Sequence, residues 1–421
     1  LAKYKDLQVV SRTSSFAYKD KDISVDVIGK ELGVAYVLEG SVRKSGNTYR
    51  ITIQLIDTKN GTHVWSDTFD RKIEDVLFVQ DEIARTVAKR LNLTFSIEDV
   101  RLRKVDPEAY DLLLRARAMF IKNPRDVEAI KRADSLLIRA LSIDSTYALI
   151  HARHSHLIWF QVIYRKNIDR EEGLRLAMQS AKKAYELDPK NRMSLNTCIN
   201  ASWHLKDSHG FEKYRKELHE LGTYPTLFSF YYRRINQVDN GYPYAKMAVE
   251  WNPKSLDDIR HLFAYELYYG NFDAARKLVS RIYDIVPDSD YWYRHCLVTY
   301  FVHTRQFDKA EALTKEYINE ERGHYMYVWA RGMKGDIDYF IKHWPYERTS
   351  NYNFMLARVY AFNGQIDEAF ECLDSAYDSY ADQTEWLFIT PQLKALHEDP
   401  RWQDILDRLS ADFNYDFKHG K

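Results

Sequence analysis

One spacing of small residues recurs along most of this 421-residue chain. An alanine is followed by apolar or small residues four and seven positions later, and often by a proline twelve positions after it, as in Ala177, Ala181, Ala184 and Pro189. Residues three and four apart share one face of an α-helix, so the pattern predicts helices that pack closely where their side chains are small. The proline then predicts the end of each helix.

Further copies of the pattern contain, in order, Ala133, Ala245, Ala275, Ala310 and Ala369. The fullest copy, Asn353–Ala376, resembles a tetratricopeptide (TPR) repeat, with Leu356, Ala357, Tyr360, Gly364, Ala369 and Ala376 at that spacing. We count at least six copies, degenerate around residues 209–221 and 323–344. One pair of helices cannot bury its own apolar face, so neighbouring pairs must stack. Residues 107–409 are therefore predicted to form an all-α TPR superhelical solenoid.

Both ends of this array carry helix-start signals. Asp106-Pro107 places a capping residue before a proline suited to the first helical position, and Asp399-Pro400 repeats the combination near the C-terminus. We expect the second signal to open a capping helix that closes the array. Residues 1–105 are predicted to form a separate domain.

The head of the chain reads differently, because apolar residues alternate there with polar ones. Strands are predicted at 35–44, 48–57 and 62–71, with tight turns at Ser45-Gly46-Asn47 and Lys59-Asn60-Gly61. A short strand at 7–11 and helices at 23–32 and 73–91 complete a small α/β sandwich. The predicted fold class is therefore α+β, with this sandwich followed by the helical solenoid.

The head module also resembles a known family through a long ordered motif. The runs VVSRTSSFAYK, GKELGVAYVLEGSVRKSGNTYRITIQLID, THVWSDTFDR and VQDEIA are similar to the TolB-amino-terminal-like (FlgO-like) module. The resemblance implies a preceding strand and helix, an upstream transmembrane segment, and an output domain such as a class III adenylate cyclase or a helix-turn-helix. It also implies TPR repeats downstream. The chain begins at Leu1 rather than Met, so we expect it to be a fragment.

Charge and cysteine content narrow the function classes. Lys plus Arg and Asp plus Glu both number 61, so no electrostatic attraction to nucleic acid is expected. Cys198, Cys296 and Cys372 lie far apart, which argues against a disulfide scaffold or a thiolate zinc cluster. The longest apolar run, 325–330, is too short to span a bilayer. The sequence predicts a soluble region on the periplasmic side of an inner-membrane-anchored protein, with a cytoplasmic location as the alternative.

Catalytic and metal-binding motifs are hard to find in this sequence. No phosphate-binding glycine loop, nucleophile elbow or HExxH helix occurs. The tempting cluster is HARHSH, in which His151 and His154 share a helical face and His156 does not. No third ligand stands at a convincing spacing, and helix register places the first two at packing positions. We predict no catalytic residues, no cofactor and no metal.

Aromatic and arginine residues at groove-facing positions of the repeats are the candidate binding site. Such residues dominate binding hot spots. The predicted set is Arg260, Tyr268, Trp292, His295, His303, Phe354 and Arg358. A groove with this lining suits an extended peptide or a partner helix.

Three hypotheses follow from these patterns. The favoured one is a non-catalytic sensor and protein-interaction region of a bacterial signalling or transcriptional regulator, which touches the membrane only through an upstream segment. Any cyclase or kinase activity would then lie in a missing upstream domain. The alternatives are a free-standing TPR scaffold or assembly factor of the cell envelope, and an enzyme with a cryptic site between head and repeats.

Overall fold

A computed structural model describes residues 9–10, 12–19, 21–45, 48–72, 82–83, 86–91, 105–122, 126–165, 168–222, 224–286, 290–377 and 384–418. These residues fall into two compact units. The first unit contains Val9 and the described residues from 21 to 222. The second contains residue 10, residues 12–19 and the described residues from 224 to 418.

The first unit contains the predicted sheet. Strands β1 (Tyr36–Ser45), β2 (Thr48–Asp57) and β3 (His63–Lys72) are antiparallel and pair in the order β1-β2-β3. The predicted strand bounds are confirmed to within one residue. Alternate side chains of β2 and β3 point into a small core, which contains Ile53, Leu55, Trp65, Phe69 and Val87.

Two short helices accompany the sheet in sequence. Helix α1 (Arg12–Phe16) belongs to the second unit, and α2 (Val25–Leu32) packs on β1 in the first. Gly33 ends α2 with a φ of 65°, which confirms the predicted cap. Val9 and Val10, the described part of the predicted strand 7–11, lie in no strand.

Some predicted elements lie partly outside the described residues. The helix predicted at 73–91 is described only at 82–83 and 86–91, where residues 82–83 and 86–90 are helical. Gly46 and Asn47 of the first predicted turn also lie outside.

Helical hairpins make up the described part of the first unit from residue 105 to residue 222. The predicted start at Pro107 is confirmed, and the Asp106 carboxylate accepts the backbone N–H of Glu108 at 2.9 Å and of Ala109 at 3.1 Å. Consecutive helices pack in pairs, and one turn of π-helix (Gln161–Arg165) follows the helix that ends at Phe160. The helices are α3 (Pro107–Lys122), α4 (Val127–Ile143), α5 (Ala148–Phe160), α6 (Arg170–Leu187), α7 (Arg192–His204) and α8 (Ser208–Glu220).

The second unit continues the same arrangement. Its hairpins are α9 (Pro225–Arg234) with α10 (Val238–Trp251), α11 (Leu256–Tyr268) with α12 (Phe272–Tyr283), α13 (Tyr291–His303) with α14 (Phe307–Lys315), α15 (Glu321–Lys334) with α16 (Ile337–His343), and α17 (Ser350–Phe362) with α18 (Ile366–Ser375). The stretches with the weakest repeat pattern are therefore still helical hairpins. The chain then forms α19 (Thr384–Ile389), a 3-10 helix (Pro391–Glu398) and α20 (Pro400–Phe413).

Small residues lie where the paired helices meet. Ala357 of α17 and Ala369 of α18 are both fully buried, and Gly364 turns the chain between them with a φ of 78°. A larger side chain at either alanine would push the helices apart. The fold class is α+β as predicted, with a small antiparallel sheet followed by TPR-like helical hairpins.

Candidate functional site

The predicted groove residues all lie on first helices of hairpins in the second unit. Arg260 and Tyr268 belong to α11, Trp292, His295 and His303 to α13, and Phe354 and Arg358 to α17. First helices pack side by side along the sequence, α11 on α13, α13 on α15, and α15 on α17. This packing makes one continuous layer from residues that are about a hundred positions apart.

Arg260 and Trp292 are in direct contact across two helices. The Arg260 guanidinium carbon lies 3.3 Å from the centroid of the Trp292 ring, a close cation–π stack. Asp257, one turn earlier, accepts a hydrogen bond from Arg260 Nη1 at 3.1 Å. Burial lowers the pKa of Arg260, and the neighbouring Asp257 opposes that effect. Asp290 caps α13 and accepts the Trp292 backbone N–H at 2.8 Å, which fixes the start of the helix.

His295 lies one turn beyond this stack. Its ring centroid is 6.0 Å from that of Trp292 and 5.7 Å from that of Tyr291. Burial, together with the positive charges of Arg260 and Arg358, lowers the pKa of His295 to about 3. The imidazole is therefore neutral at neutral pH and adds no charge of its own.

Arg358 of α17 is largely enclosed by protein. Its Nη1 donates to Met355 Sδ at 3.0 Å and its Nη2 to Gln392 Oε1 at 3.5 Å, whereas its Nε has no hydrogen-bond partner among the described residues. Burial lowers the pKa of Arg358, although a guanidinium remains protonated at neutral pH. The arrangement holds a positive charge with weak acceptors around it.

His303 and Arg358 meet at the side chain of Gln392. His303 Nε2 lies 3.0 Å from Gln392 Nε2. Because a guanidinium only donates, the Gln392 oxygen must face Arg358 and its NH₂ group must face His303. Burial lowers the pKa of His303 to about 3, helped by Arg358 and Arg305, so its Nε2 is a free acceptor for that amide.

Sequence reasoning missed the segment that carries Gln392. The 3-10 helix Pro391–Glu398 packs against α11 and α17 and so lies on the predicted groove. Lys394 Nζ donates to the Tyr268 carbonyl at 3.1 Å, and the His397 ring lies 6.4 Å from the Tyr268 ring. The apolar residues in and around this 3-10 helix predict only that the segment is buried. No local signal in the sequence shows which helices the segment contacts.

The structure thus brings together five of the predicted residues, which we name the Arg358 cluster: Arg260, Trp292, His295, His303 and Arg358. All five keep part of their surface exposed. Tyr268 lies nearby beneath Lys394, whose Nζ is 4.8 Å from its ring. Phe354 differs, because only 7% of its surface is exposed.

The three histidines of HARHSH belong to the first unit, and each contacts different side chains or backbone atoms. His151 Nε2 is 2.8 Å from the Ser145 carbonyl oxygen, and His154 Nε2 is 3.5 Å from Asp134. The His156 ring packs against Trp159 and Phe120 instead. Within the described ranges, no three His, Cys, Asp or Glu side chains are placed to hold a metal ion.

None of the described helices is both long enough and apolar enough to cross a membrane. All three cysteines are free thiols.

Comparison with known protein families and structures gives limited matches. No family model matches the chain, so its likeness to the TolB-amino-terminal-like module stays a prediction. A protein of Rhizobium meliloti (strain 1021) named "Putative adenylate cyclase 3" is 41% identical over 192 residues, which are 45% of this chain. The chain covers only 32% of that relative's length.

Two solved structures are similar at low identity. A tetratricopeptide repeat protein from Parabacteroides merdae matches 69% of this chain and 100% of its own, at 13% identity and a TM-score of 0.33. The human IFIT1 dimer with m7Gppp-AAAA matches 71% of this chain and 77% of its own, at 14% identity and a TM-score of 0.44.

Proposed function

We propose that this chain is a non-catalytic sensor and protein-interaction region of a bacterial signalling protein, which binds a peptide or protein partner through the Arg358 cluster. The observation that carries the proposal is the contact of Arg260 with Trp292 at 3.3 Å on adjacent first helices, beside His295 and Arg358. Aromatic and arginine side chains that are enclosed yet still accessible are the usual anchors of protein interfaces.

The layer of first helices supports this proposal. Stacked hairpins present side chains from several repeats to one partner, so each repeat adds contacts without a separate fold. The cluster draws on α11, α13 and α17, and all of its residues lie within one compact unit. A partner segment that spans these helices would contact both the Arg260–Trp292 stack and Arg358.

The signalling part of the proposal rests on the relative named "Putative adenylate cyclase 3" and on the resemblance of the head module. We place any cyclase activity outside these 421 residues, because the sequence contains no phosphate-binding glycine loop. The head module, proposed as residues 1–105, would pass the bound state of the repeats to the output domain. Membrane attachment and a periplasmic location belong to the same proposal, and direct nucleic-acid binding does not.

The test compares partner capture by two variants, each with one aromatic side chain replaced by alanine. Trp292→Ala removes the ring under Arg260, whereas Tyr283→Ala removes an aromatic side chain that is 54% exposed on α12, a second helix of a hairpin. Immobilised wild-type chain is cross-linked in extract of the source bacterium, and captured proteins are identified by mass spectrometry. We expect Trp292→Ala to lose a specific partner that the wild type and Tyr283→Ala both retain.

Equal capture by all three proteins would refute binding at the cluster. A second measurement tests the non-catalytic part: the purified chain is incubated with ATP and a divalent cation, and cyclic AMP is measured. We expect no product above a heat-denatured control, and product formation would refute that part alone.

A further inference from the structure

Arg358 lacks the partner that an enclosed guanidinium normally has. Its acceptors are a thioether sulfur at 3.0 Å and an amide oxygen at 3.5 Å, and it forms no ion pair with a carboxylate of any described residue. Thioethers are weak acceptors, and a hydrogen bond of 3.5 Å is long. Enclosing a charge without a counter-ion is unfavourable unless another interaction compensates.

The surroundings of Arg358 do not neutralise its positive charge. Its nearby ionisable groups are Tyr325, His295 and His303, and all three are uncharged at neutral pH because burial disfavours their ionised forms. Arg260 adds a second positive charge, which Asp257 offsets from an exposed position. The Arg358 cluster is therefore a locally cationic recess in a chain of zero formal net charge.

Part of this recess is accessible from the surface. Arg358, His295 and His303 are surrounded by protein and yet each retains accessible surface. The planar Gln392 amide already occupies the position between Arg358 and His303. A carboxylate has the same planar shape as that amide and carries the charge that the guanidinium lacks.

Resting on the proposed partner-binding function, we propose that the Arg358 cluster is a binding site for a carboxylate of an acidic peptide, which replaces Gln392 as the acceptor for Arg358. A carboxylate fits better than a phosphate because the described surroundings offer one guanidinium fork between aromatic and imidazole rings. Phosphate is normally held by several donors at once. The ring of Trp292 and its neighbours would cover the apolar part of the bound side chain.

A carboxylate can be supplied to this site without any partner. Gln392→Glu exchanges the amide for a carboxylate of the same shape, so that a charged oxygen faces Arg358 where the amide oxygen does now. The neutral His303 then carries its proton on Nε2 and donates to the other carboxylate oxygen. We expect the folded-to-unfolded ratio at pH 7 to rise about tenfold, because an ion pair between the guanidinium and a carboxylate replaces a long hydrogen bond to a neutral amide. The gain should vanish in an Arg358→Gln background, and Gln403→Glu, at an exposed position of α20, is the matched control.

The pH dependence gives this experiment a second readout. An ion pair lowers the pKa of the new carboxyl in the folded state below its unfolded value. The stabilisation of Gln392→Glu should therefore be complete above about pH 5 and be lost as pH falls through the folded pKa. A destabilised Gln392→Glu protein, or a gain that persists in Arg358→Gln, would overturn the proposal.

Direct binding is tested with acetyl-triglutamate amide, acetyl-triglutamine amide and inorganic phosphate, each titrated calorimetrically at constant ionic strength. We expect only the triglutamate peptide to bind. Its affinity should fall at least about tenfold in Arg358→Gln and in Gln392→Glu, whose own carboxylate competes. If Arg358→Gln does not fold, Arg358→Lys keeps the charge but loses the two-pronged donor geometry, and it should weaken binding as well.

Equal binding of phosphate, or triglutamate binding that ignores both substitutions, would overturn the assignment to a carboxylate at Arg358. The stability comparison of Gln392→Glu with and without Arg358 does not depend on a natural partner. If Gln392→Glu is stabilised only when Arg358 is present, but Trp292→Ala captures the same proteins as the wild type, the proposed function is refuted and the carboxylate site is supported. If Gln392→Glu is not stabilised, but Trp292→Ala loses a partner, the carboxylate site is refuted and the proposed function is supported.

Discussion

Gly241 of α10 offers a sharp test of how closely the helices of the second unit pack. A Cβ atom at this position would lie 2.2 Å from the Tyr265 hydroxyl, 3.0 Å from the Ser229 carbonyl oxygen and 3.2 Å from Tyr232 Cβ. Ordinary contacts begin at 3.4 Å, so Gly241→Ala requires Tyr265 Oη to move by about 1 Å. Tyr265 is fully buried and donates to the Ser229 carbonyl at 3.0 Å, so it has little room to move.

The magnitude follows from three contributions. Overpacking a core costs about 1–3 kcal/mol, and weakening the Tyr265 hydrogen bond adds about 1 kcal/mol. Replacing glycine by alanine inside a helix returns about 1 kcal/mol through better helix propensity. We therefore expect Gly241→Ala to lower the free energy of unfolding by about 2 kcal/mol, which is roughly 4–8 °C in Tm for a unit of this size.

Urea unfolding followed by circular dichroism measures this change, and Tyr265→Phe supplies the matched variant. Removal of the hydroxyl alone should cost about 1 kcal/mol, because the hydrogen bond from Tyr265 to the Ser229 carbonyl is lost. In the double variant the clash is gone, so its loss should be at least about 1 kcal/mol smaller than the sum of the single losses. A Gly241→Ala protein as stable as wild type, or strict additivity, would refute the close contact.

Three further predictions concern pH, thiols and the sheet. Burial holds the folded-state pKa of His295 and of His303 at about 3, so the unfolded chain binds more protons below its own pKa of about 6.5. The free energy of unfolding should be highest above that pH and fall by up to about 1.4 kcal/mol per pH unit for each histidine as pH drops towards 3. The midpoint of urea unfolding, measured against pH, should fall less steeply in His303→Gln. Burial raises the pKa of the Cys198 and Cys296 thiols to about 12. A disulfide reagent at pH 8 should therefore label them only as fast as the protein unfolds, and rapid labelling of the native protein would contradict their burial. Gly29→Ala would place a Cβ atom 2.3 Å from Thr58 Cβ, so we expect the head module to unfold at a lower urea concentration. An unchanged urea midpoint would show that α2 can shift.

Much of the candidate site was within reach of sequence reasoning. The helix register that places Trp292 and His295 on the inner face of α13 also brings them to Arg260, because the same residues of successive repeats face the same way. The same reasoning selected Phe354, whose 7% exposure shows that one helical position can be core in one repeat and surface in another. Neighbouring side chains decide that difference, and they come from other parts of the chain.

Local patterns determine most of the fold of this protein. Alternation predicted the three strands, and small residues predicted where helices meet, because periods of two and of 3.6 residues are properties of a short stretch of backbone. Turn and cap positions such as Gly33 and Gly364 follow for the same reason, since a left-handed backbone favours glycine whatever lies around it.

Only the tertiary structure placed the 3-10 helix Pro391–Glu398 on the predicted groove. Gln392 reaches His303 across 89 positions of the chain, and Lys394 reaches Tyr268 across 126. Contacts over such distances have no period that a sequence could display. They depend on which buried surfaces fit together once the hairpins have packed, and so the acceptor that now faces Arg358 became visible only in the folded chain.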